Sequence, residues 1–347
     1  MDKVSEIIRW LGEIFDISKD CFEIIQSDDN LYSSTLIFKN NSADSVVPHV
    51  VFVKDFTFET ERSIEKYETE KRGLSQAATI NCISHVQTPA VYGCNDYIHC
   101  IAMEFFQPDE DSLFHYLWNS RRNKLFLTKL KEDDLSMLRH LGGWLNLFHQ
   151  QKICVSRELP GKIIDSDLSN IKTRVKLLLE WESGAIPFMD NDLVYHAYRV
   201  AQTLADDIGQ RSEASLVYGH GDFTLANIIR NSHNLCVIDF AMGGPSFAEN
   251  DCARIMTDLC NVELAFLLSR KKDIGDLVSV HAFWAELGAF EYSDTMRFYL
   301  IKQALINLTM YAKYYGNLGA REKIFFGSLV KCQLGLLYNV VEVHQRD

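Results

Sequence analysis

The sequence predicts an α+β chain with a strand-rich N-terminal third and a helix-rich remainder. Three observations carry this expectation. Short runs rich in Val, Ile, Phe and Thr crowd the first 106 residues. Past them, apolar residues recur mainly at the three- and four-residue spacing of amphipathic helices. One segment, Leu216 to Pro245, breaks that helical pattern with short apolar runs that alternate with polar residues.

In chain order, Ile7, Ile8, Trp10, Leu11, Ile14 and Phe15 share one apolar face, so Val4–Phe15 is expected to be an amphipathic helix. Cys21–Ile25, Thr35–Lys39 and His49–Phe56 read as strands, and Phe58–Ala77 as a charged helix. Thr88–Tyr92 and Ile98–Phe106 read as two more strands, after which Asp111-Ser112 offers an N-cap for a helix. Leu135, Leu138, Leu141, Leu145 and Phe148 predict a long helix ending near Gln151, in which His149 is a packing or hydrogen-bonding residue. Helical stretches are expected around Ile171–Trp181 and Leu193–Ile208, and four more helices over Asp251–Arg270, Leu277–Leu287, Thr295–Tyr315 and Ala320–Val343. The two parts are expected to be lobes of residues 1–106 and 107–347.

Composition bounds the function. With 347 residues the chain can build one large domain or two smaller ones with proper cores. A net charge of −12 argues against non-specific nucleic-acid binding, which needs a positive field. The nine cysteines include no C-x-x-C pair, and no signal peptide is evident, so reduced thiols in a cytoplasmic protein are expected. Apolar runs fall short of the ~20 residues that a membrane span requires, so no membrane insertion is expected.

The interrupting segment carries the chemistry. Leu216-Val217-Tyr218 reads as a short buried strand that ends in His220-Gly221-Asp222. Asn227 follows five residues after Asp222, then Ile228-Ile229, the turn formers Asn231-Ser232-His233-Asn234, a returning strand from Leu235 to Ile238, and Asp239. A hairpin of this length can bring Asn227 and Asp239 to the same end. Oxygen-bearing side chains so placed suit Mg²⁺, a hard ion that takes a few carboxylate or amide oxygens and completes its shell from phosphates. Asp239 would be the main carboxylate ligand and Asn227 a neutral second one. Asp222 would then accept the proton of an attacking hydroxyl, the division of labour found in kinase catalytic loops.

HGDFTLANI followed by VIDF resembles the catalytic segment of the aminoglycoside phosphotransferase and choline kinase superfamily, small-molecule kinases with a protein-kinase-like fold. The family pattern is H-x-D-x-x-x-x-N, then an apolar-Asp-apolar triplet, and His220, Asp222, Asn227 and Asp239 match it. The resemblance is sharp over Tyr218–Asp251, fair over Val51–Phe106 and only architectural elsewhere. It implies a bilobal kinase-like α+β fold and transfer of the ATP γ-phosphate to a hydroxyl of a small molecule, with Mg²⁺.

The resemblance also implies roles upstream. Lys54, in the apolar run VVFVKDF, matches the strand lysine that contacts the α- and β-phosphates; the plain alternative is an edge-strand lysine. Glu70 precedes Leu74 by four on one helix face, as in the family, and would orient Lys54, with Glu68 as the runner-up. The turn within Gln26–Ser34 stands where the family covers the ATP phosphates. It lacks G-x-G-x-x-G, so backbone N–H groups with Ser33 and Ser34 would hold phosphate, unless this is an ordinary polar hairpin loop. Met103 would back the adenine pocket, and the backbone of Glu104 to Phe106 would bind the adenine edge.

Downstream of Asp239 the chain reaches Asp251 within a dozen residues, without A-P-E, and Gly221 replaces the Arg of H-R-D. These features point to a small acceptor and no activation-loop switch. Asp251 is read as structural, tying the loop by hydrogen bonds. Helices inserted between 155 and 215 often wall the acceptor site in this superfamily, and a sugar or other polyhydroxy acceptor is the lean. Two other classes stay in view: a non-catalytic nucleotide-binding regulator, opposed by intact Asp222, Asn227 and Asp239, and a protein kinase, opposed by the short loop.

Overall fold

The computed structural model describes residues 2–29, 33–42, 47–56, 61–80, 85–106, 112–122, 130–151, 153, 156, 158–180, 189–210, 216–232, 234–263, 274–288, 292–315 and 317–343. The fold is mixed α+β, in two compact units: Met1–Asp111 with Asn227–Gly244, and Ser112–Ala226 with Pro245–Asp347.

In the first unit, helix α1 (Lys3–Phe15) is capped by Asp2, whose carboxylate accepts the Ser5 N–H at 2.8 Å. Five antiparallel strands follow: β1 (Phe22–Asp29), β2 (Ser34–Asn40), β3 (Val50–Asp55), β5 (Val91–Asn95) and β6 (Cys100–Glu104). Their order in the sheet is β1-β2-β3-β6-β5, which makes β3 the central strand. Alternation along the strands separates two faces. Leu36, Phe38, Val51, Val53, Cys100 and Ala102 pack with Ile7, Trp10 and Leu11 of α1 into one apolar cluster. Phe52, Lys54, Ile101 and Met103 hold the other parity, in register as Phe52 opposite Met103 and Lys54 opposite Ile101. Helix α2 (Glu61–Ala78) buries Ser63, Tyr67, Glu70, Leu74 and Ala77, a stripe at helical spacing, and sets Tyr67 edge-on to Phe56.

Several expected boundaries move. Strand β1 runs four residues past Ile25 because Gln26–Asp29 pair with residues of β2, so the expected phosphate loop shrinks to the link between Asp29 and Ser34. Thr88–Ala90 is not a strand: Pro89 has no N–H to donate, and pairing resumes only at Val91. A short strand β4 (Val86–Gln87), unforeseen in the sequence, pairs in parallel with β9 (Asn234–Val237). That pairing, with Leu235 N–H donating to the His85 carbonyl at 2.7 Å, goes with placement of the hairpin β8 (Ile228–Asn231) and β9 in the first unit. A single boundary near 106 misses this return of the chain. The expected start of α2 at Phe58, and Asp111 of the expected N-cap, lie outside the described residues.

The second unit is helical: α3 (Leu113–Arg122), α4 (Glu132–His149), α5 (Leu159–Glu180), α6 (Asn191–Gln210), α7 (Ala248–Val262), α8 (Val278–Trp284), α9 (Asp294–Tyr315) and α10 (Ala320–Val343). It also holds strand β7 (Val217–Gly219), which pairs with β10 (Gly244–Ser246). The Ser112 hydroxyl caps α3 by accepting the His115 N–H. Helix α5 begins a dozen residues before the expected Ile171, since Pro160 is tolerated in a first turn and Ile164 extends the buried stripe of Ile171, Val175 and Leu178. Helix α10 is long and apolar enough to cross a membrane by length and composition, contrary to the expectation from apolar runs; 61% of that stretch is buried within the protein, where it packs on α9, α7 and α6. The seven described cysteines are free thiols.

Gly142 in α4 lies against α8, and a Cβ there would collide with the Phe283 carbonyl oxygen. At Gly143 the nearest atom to an added Cβ is a side-chain carbon of Glu286 at 3.4 Å. Gly142→Ala should therefore destabilise the protein by about 1–3 kcal/mol through overpacking. Gly143→Ala should be neutral or stabilising by up to about 1 kcal/mol, from helix propensity. Urea unfolding of the two variants checks this; equal effects would mean that α4 and α8 are not in contact as described.

Candidate active site

In the first unit the sheet face opposite α1 carries a buried cation, Lys54. Lys54 stands in the central strand, flanked by Thr35 and Ile101, so the edge-strand alternative does not hold. Its ammonium lies 3.1 Å from Glu70 Oε2 and 2.6 Å from Asp239 Oδ1, with the Phe56 ring 5.5 Å away. Burial works against the charge on Lys54, but the Glu70 and Asp239 carboxylates outweigh it and hold its pKa above the ordinary value. Burial pushes Glu70 up, and Lys54 offsets only part of that. Glu70 is 2% exposed whereas Glu68 is exposed, so the helix periodicity selects Glu70 as the partner.

Asn227 and Asp239 come to the same end of the β8–β9 hairpin, as its length predicts. Ile228 pairs with Val237 and Asn231 with Asn234 across a two-residue turn, in which Ser232 adopts a left-handed φ of 52°. The Ile238 N–H donates to the Asn227 carbonyl at 3.0 Å, which leaves Asp239 one residue beyond the ladder. Asp239 itself has φ 65°, an uncommon conformation that Asp tolerates better than most residues, and its side chain is 41% exposed. One amide oxygen and one accessible carboxylate fit Mg²⁺, which needs few protein oxygens when phosphates supply others. Among the described residues no three His, Cys, Asp or Glu side chains form a metal cage of their own.

The residues expected to bind nucleotide also lie in this unit. Met103 is buried in β6 on the sheet face of Lys54. The Glu104 N–H donates to the Ala90 carbonyl at 2.8 Å, and its carboxylate accepts the Ala90 N–H at 3.2 Å. The Glu104 N–H is thus committed to protein, while Phe105 and Phe106 follow as half-buried, irregular chain. Ser33 is buried immediately before β2, and Ser34 lies within it opposite Asp29 and Asp55. The residues between Asp29 and Ser33 lie outside the described ones.

In the second unit the segment 220–225 is held by one face of α7. Asp251, Arg254 and Asp258 sit three and four residues apart, hence on one helix face. The Asp251 carboxylate accepts the His220 N–H at 2.7 Å, the Gly221 N–H at 2.8 Å, and His149 Nε2 at 3.0 Å. Gly221 has φ 81°, which explains glycine at this position: a side chain there would be strained. Burial raises the Asp251 pKa, but the bonds and charge of His149 and His220 bring it below the ordinary value. Asp251 thus ties the loop, as the sequence reading had it, and His149 is its hydrogen-bonding partner. Arg254 Nε donates to Asp222 Oδ1 at 3.1 Å, and Asp258 accepts the Leu225 N–H at 2.9 Å. Neither Arg254 nor Asp258 was singled out from the sequence. The signal was present in the spacing 251, 254, 258, but which face of α7 meets the loop is a tertiary fact.

Asp258 has a pH consequence. Burial raises its pKa from 3.8 to about 6, only partly offset by Arg254 and the Leu225 N–H. A carboxyl that holds its proton longer in the folded state makes stability fall as pH rises from its unfolded to its folded pKa. The expected decline lies between about pH 4 and pH 6. Two pKa units with some solvent access correspond to roughly 1–3 kcal/mol. Asp258→Asn should remove this decline and match or exceed the parent above pH 6. Urea unfolding across that range is the measurement; an unchanged slope in the variant would exclude Asp258 as its source.

No family model matches the sequence, and no curated protein matches it. Solved structures do match, over nearly their whole length. Choline kinase from Cryptosporidium parvum Iowa II aligns with a TM-score of 0.56 at 12% identity, covering 99% of this chain and 97% of that one. A choline/ethanolamine kinase family protein from Mesorhizobium loti aligns with a TM-score of 0.55 at 13% identity, covering 98% and 99%. The streptomycin–ATP–APH(2″)-IIa ternary complex aligns with a TM-score of 0.52 at 15% identity, covering 97% and 99%. At such identities the likeness concerns the fold: the chain has the protein-kinase-like fold seen in aminoglycoside phosphotransferases and choline kinases.

Proposed function

We propose that the protein is a small-molecule kinase that transfers the γ-phosphate of ATP to a hydroxyl group. The observation that carries this reading is Lys54 bound to both Glu70 and Asp239, which links the phosphate-contacting lysine, its orienting glutamate and the metal carboxylate of a kinase. The structures of similar fold support it, since one is a complex with ATP and streptomycin and another is a choline kinase.

In this reading Lys54 binds the α- and β-phosphates, with Glu70 holding its ammonium in place. Asn227 and Asp239 would hold Mg²⁺, which when bound neutralises charge on the phosphates and orients them. Ser33, Ser34 and the backbone between them and Asp29 would cover the phosphates. Met103 and the backbone of Glu104 to Phe106 would receive the adenine. Asp222 takes the acceptor's hydroxyl proton as the new O–P bond forms. The bond from the γ-phosphorus to the β–γ bridging oxygen breaks, and ADP leaves with that electron pair. Catalysis rests on positioning and charge stabilisation. A sugar or other polyhydroxy compound is the acceptor class favoured here, and a cytoplasmic location goes with it.

Two measurements test the reading. Labelled ATP is offered with a panel of sugars, aminoglycosides, choline, ethanolamine and fructosamines, with protein acceptors alongside. Label is expected on one small-molecule class only when Mg²⁺ is present; label on protein alone would turn the assignment to a protein kinase. Second, Mg·ATP should raise the melting temperature by mass action, and Asp239→Ala should abolish the magnesium-dependent part. Asp222→Asn should keep that shift yet slow turnover by about 10²–10⁴-fold. Near-normal turnover in Asp222→Asn would remove the central residue from the mechanism.

A further inference from the structure

Arg254 carries an interaction that the phosphotransferase reading does not use. Its guanidinium is largely buried, with the side chain 16% exposed, and it joins two layers of the second unit. On one side Nε donates to Asp222 Oδ1 at 3.1 Å. On the other, Nη1 donates to Asn307 Oδ1 at 3.1 Å and to Gln303 Oε1 at 3.4 Å. Gln303 and Asn307 are four apart on α9, so both amides face the guanidinium.

Those amides are themselves oriented. A guanidinium has donors only, so each amide must turn its oxygen to Arg254 and its NH₂ elsewhere. Gln303 Nε2 donates to Asn250 Oδ1 at 2.9 Å, and Asn307 Nδ2 donates to Thr257 Oγ1 at 3.2 Å. Thr257 Oγ1 in turn donates to the Arg254 carbonyl at 2.8 Å. The ladder continues away from Asp222, where Gln333 of α10 donates to the Thr257 carbonyl and to Asn261. Gln303, Asn307, Thr257, Asn261 and Gln333 are all buried. Around Arg254 these bonds hold one geometry, because turning the Gln303 or Asn307 amide would set its NH₂ against the guanidinium; farther along the ladder Gln333 Oε1 is buried without a hydrogen-bond partner.

Charge neutralisation alone does not account for the arrangement. Asp258 lies one helical turn from Arg254, at the i,i+4 spacing that favours a local ion pair. Its carboxylate feels the Arg254 charge but accepts its hydrogen bond from the Leu225 N–H, and the guanidinium Nε goes to Asp222. Asp222 is 34% exposed, whereas the arginine behind it is 16% exposed and held by buried amides.

We infer that Arg254 is a positioning residue: braced by Gln303 and Asn307, it holds the Asp222 carboxylate in the orientation from which that carboxylate takes the acceptor's hydroxyl proton. The inference rests on the phosphotransferase reading of Asp222. Arg254 stays protonated and moves no proton. A lysine cannot replace it, because a single ammonium lacks the planar fork that spans the carboxylate and both amides.

The test uses the full chain with Mg·ATP, and ADP release to water or to an acceptor found on the panel as the readout. Arg254→Ala and Arg254→Lys should lower kcat by about 10²-fold, the cost of a misplaced catalytic group, with KM for ATP changed less than about 2-fold. Millimolar guanidinium chloride should restore much of the loss in Arg254→Ala and none in Arg254→Lys. Asn307→Leu should slow the parent but add little to Arg254→Ala. A crystal structure of Arg254→Lys reads the same point without turnover: the Asp222 carboxylate should leave the place it holds in the parent. Unchanged kcat, a loss confined to KM, independent multiplication of the two defects, or an unmoved Asp222 would each overturn the inference. Parent protein that neither releases ADP nor gains stability from Mg·ATP would instead overturn the phosphotransferase reading, and this inference with it.

Discussion

A lysine ammonium in the central strand of a sheet must be paired, and much of the first unit is arranged around that requirement. An unpaired charge in such a place costs several kcal/mol, a large share of a protein's net stability. Lys54 meets it with Glu70 from α2 and Asp239 from the end of β9, residues distant in the chain. The pairing ties three elements to one point. It explains why a helix otherwise rich in exposed Glu and Lys buries one glutamate. Phe240, fully buried beside Gly73 of α2, fixes the residue after Asp239 on the same helix.

The second unit solves a different problem. Residues 220–225 form an irregular loop whose backbone N–H groups have no strand or helix partners of their own. The α7 carboxylates supply them: Asp251 takes His220 and Gly221, and Asp258 takes Leu225. Arg254, between these two on the same face, takes the side chain of Asp222. One helix face thus satisfies three of the loop's N–H groups and holds its central carboxylate, while the Asp222 and Thr224 N–H groups bond within the loop to His220 Nδ1 and the Asp222 carbonyl. Placing the loop on a rigid helix gives a precision that the loop's own conformational freedom would not allow.

A shared fold does not carry a shared acceptor. The structures of similar fold differ in their small molecules, one being a complex with streptomycin and ATP and another a choline kinase. The insertion built from α5 and α6 packs on α9, the helix that also braces Arg254 through Gln303 and Asn307. Changes on its other faces therefore need not disturb the two amides that hold the Arg254 guanidinium.

The roles expected for Asp222 and Lys54 came from the resemblance to a kinase catalytic segment; the sequence by itself determined most element types and the hairpin that unites Asn227 with Asp239. These rest on local rules: alternation in strands, helical spacing, turn formers and fixed residue offsets. It also placed Glu70 on the right helix face, but left Glu68 open, because a helix rich in charge shows which residues share a face and not which face is buried. Two matters were settled only by tertiary structure. Strand β4 pairs in parallel with β9, a contact between two and four residues that leaves no periodic trace, and it goes with the hairpin's place in the first unit. Last, Arg254 and Asp258 acquired partners because one face of α7 happens to lie on residues 222–225. Such long-range choices follow from packing and the satisfaction of buried polar groups, which no window of neighbouring residues contains.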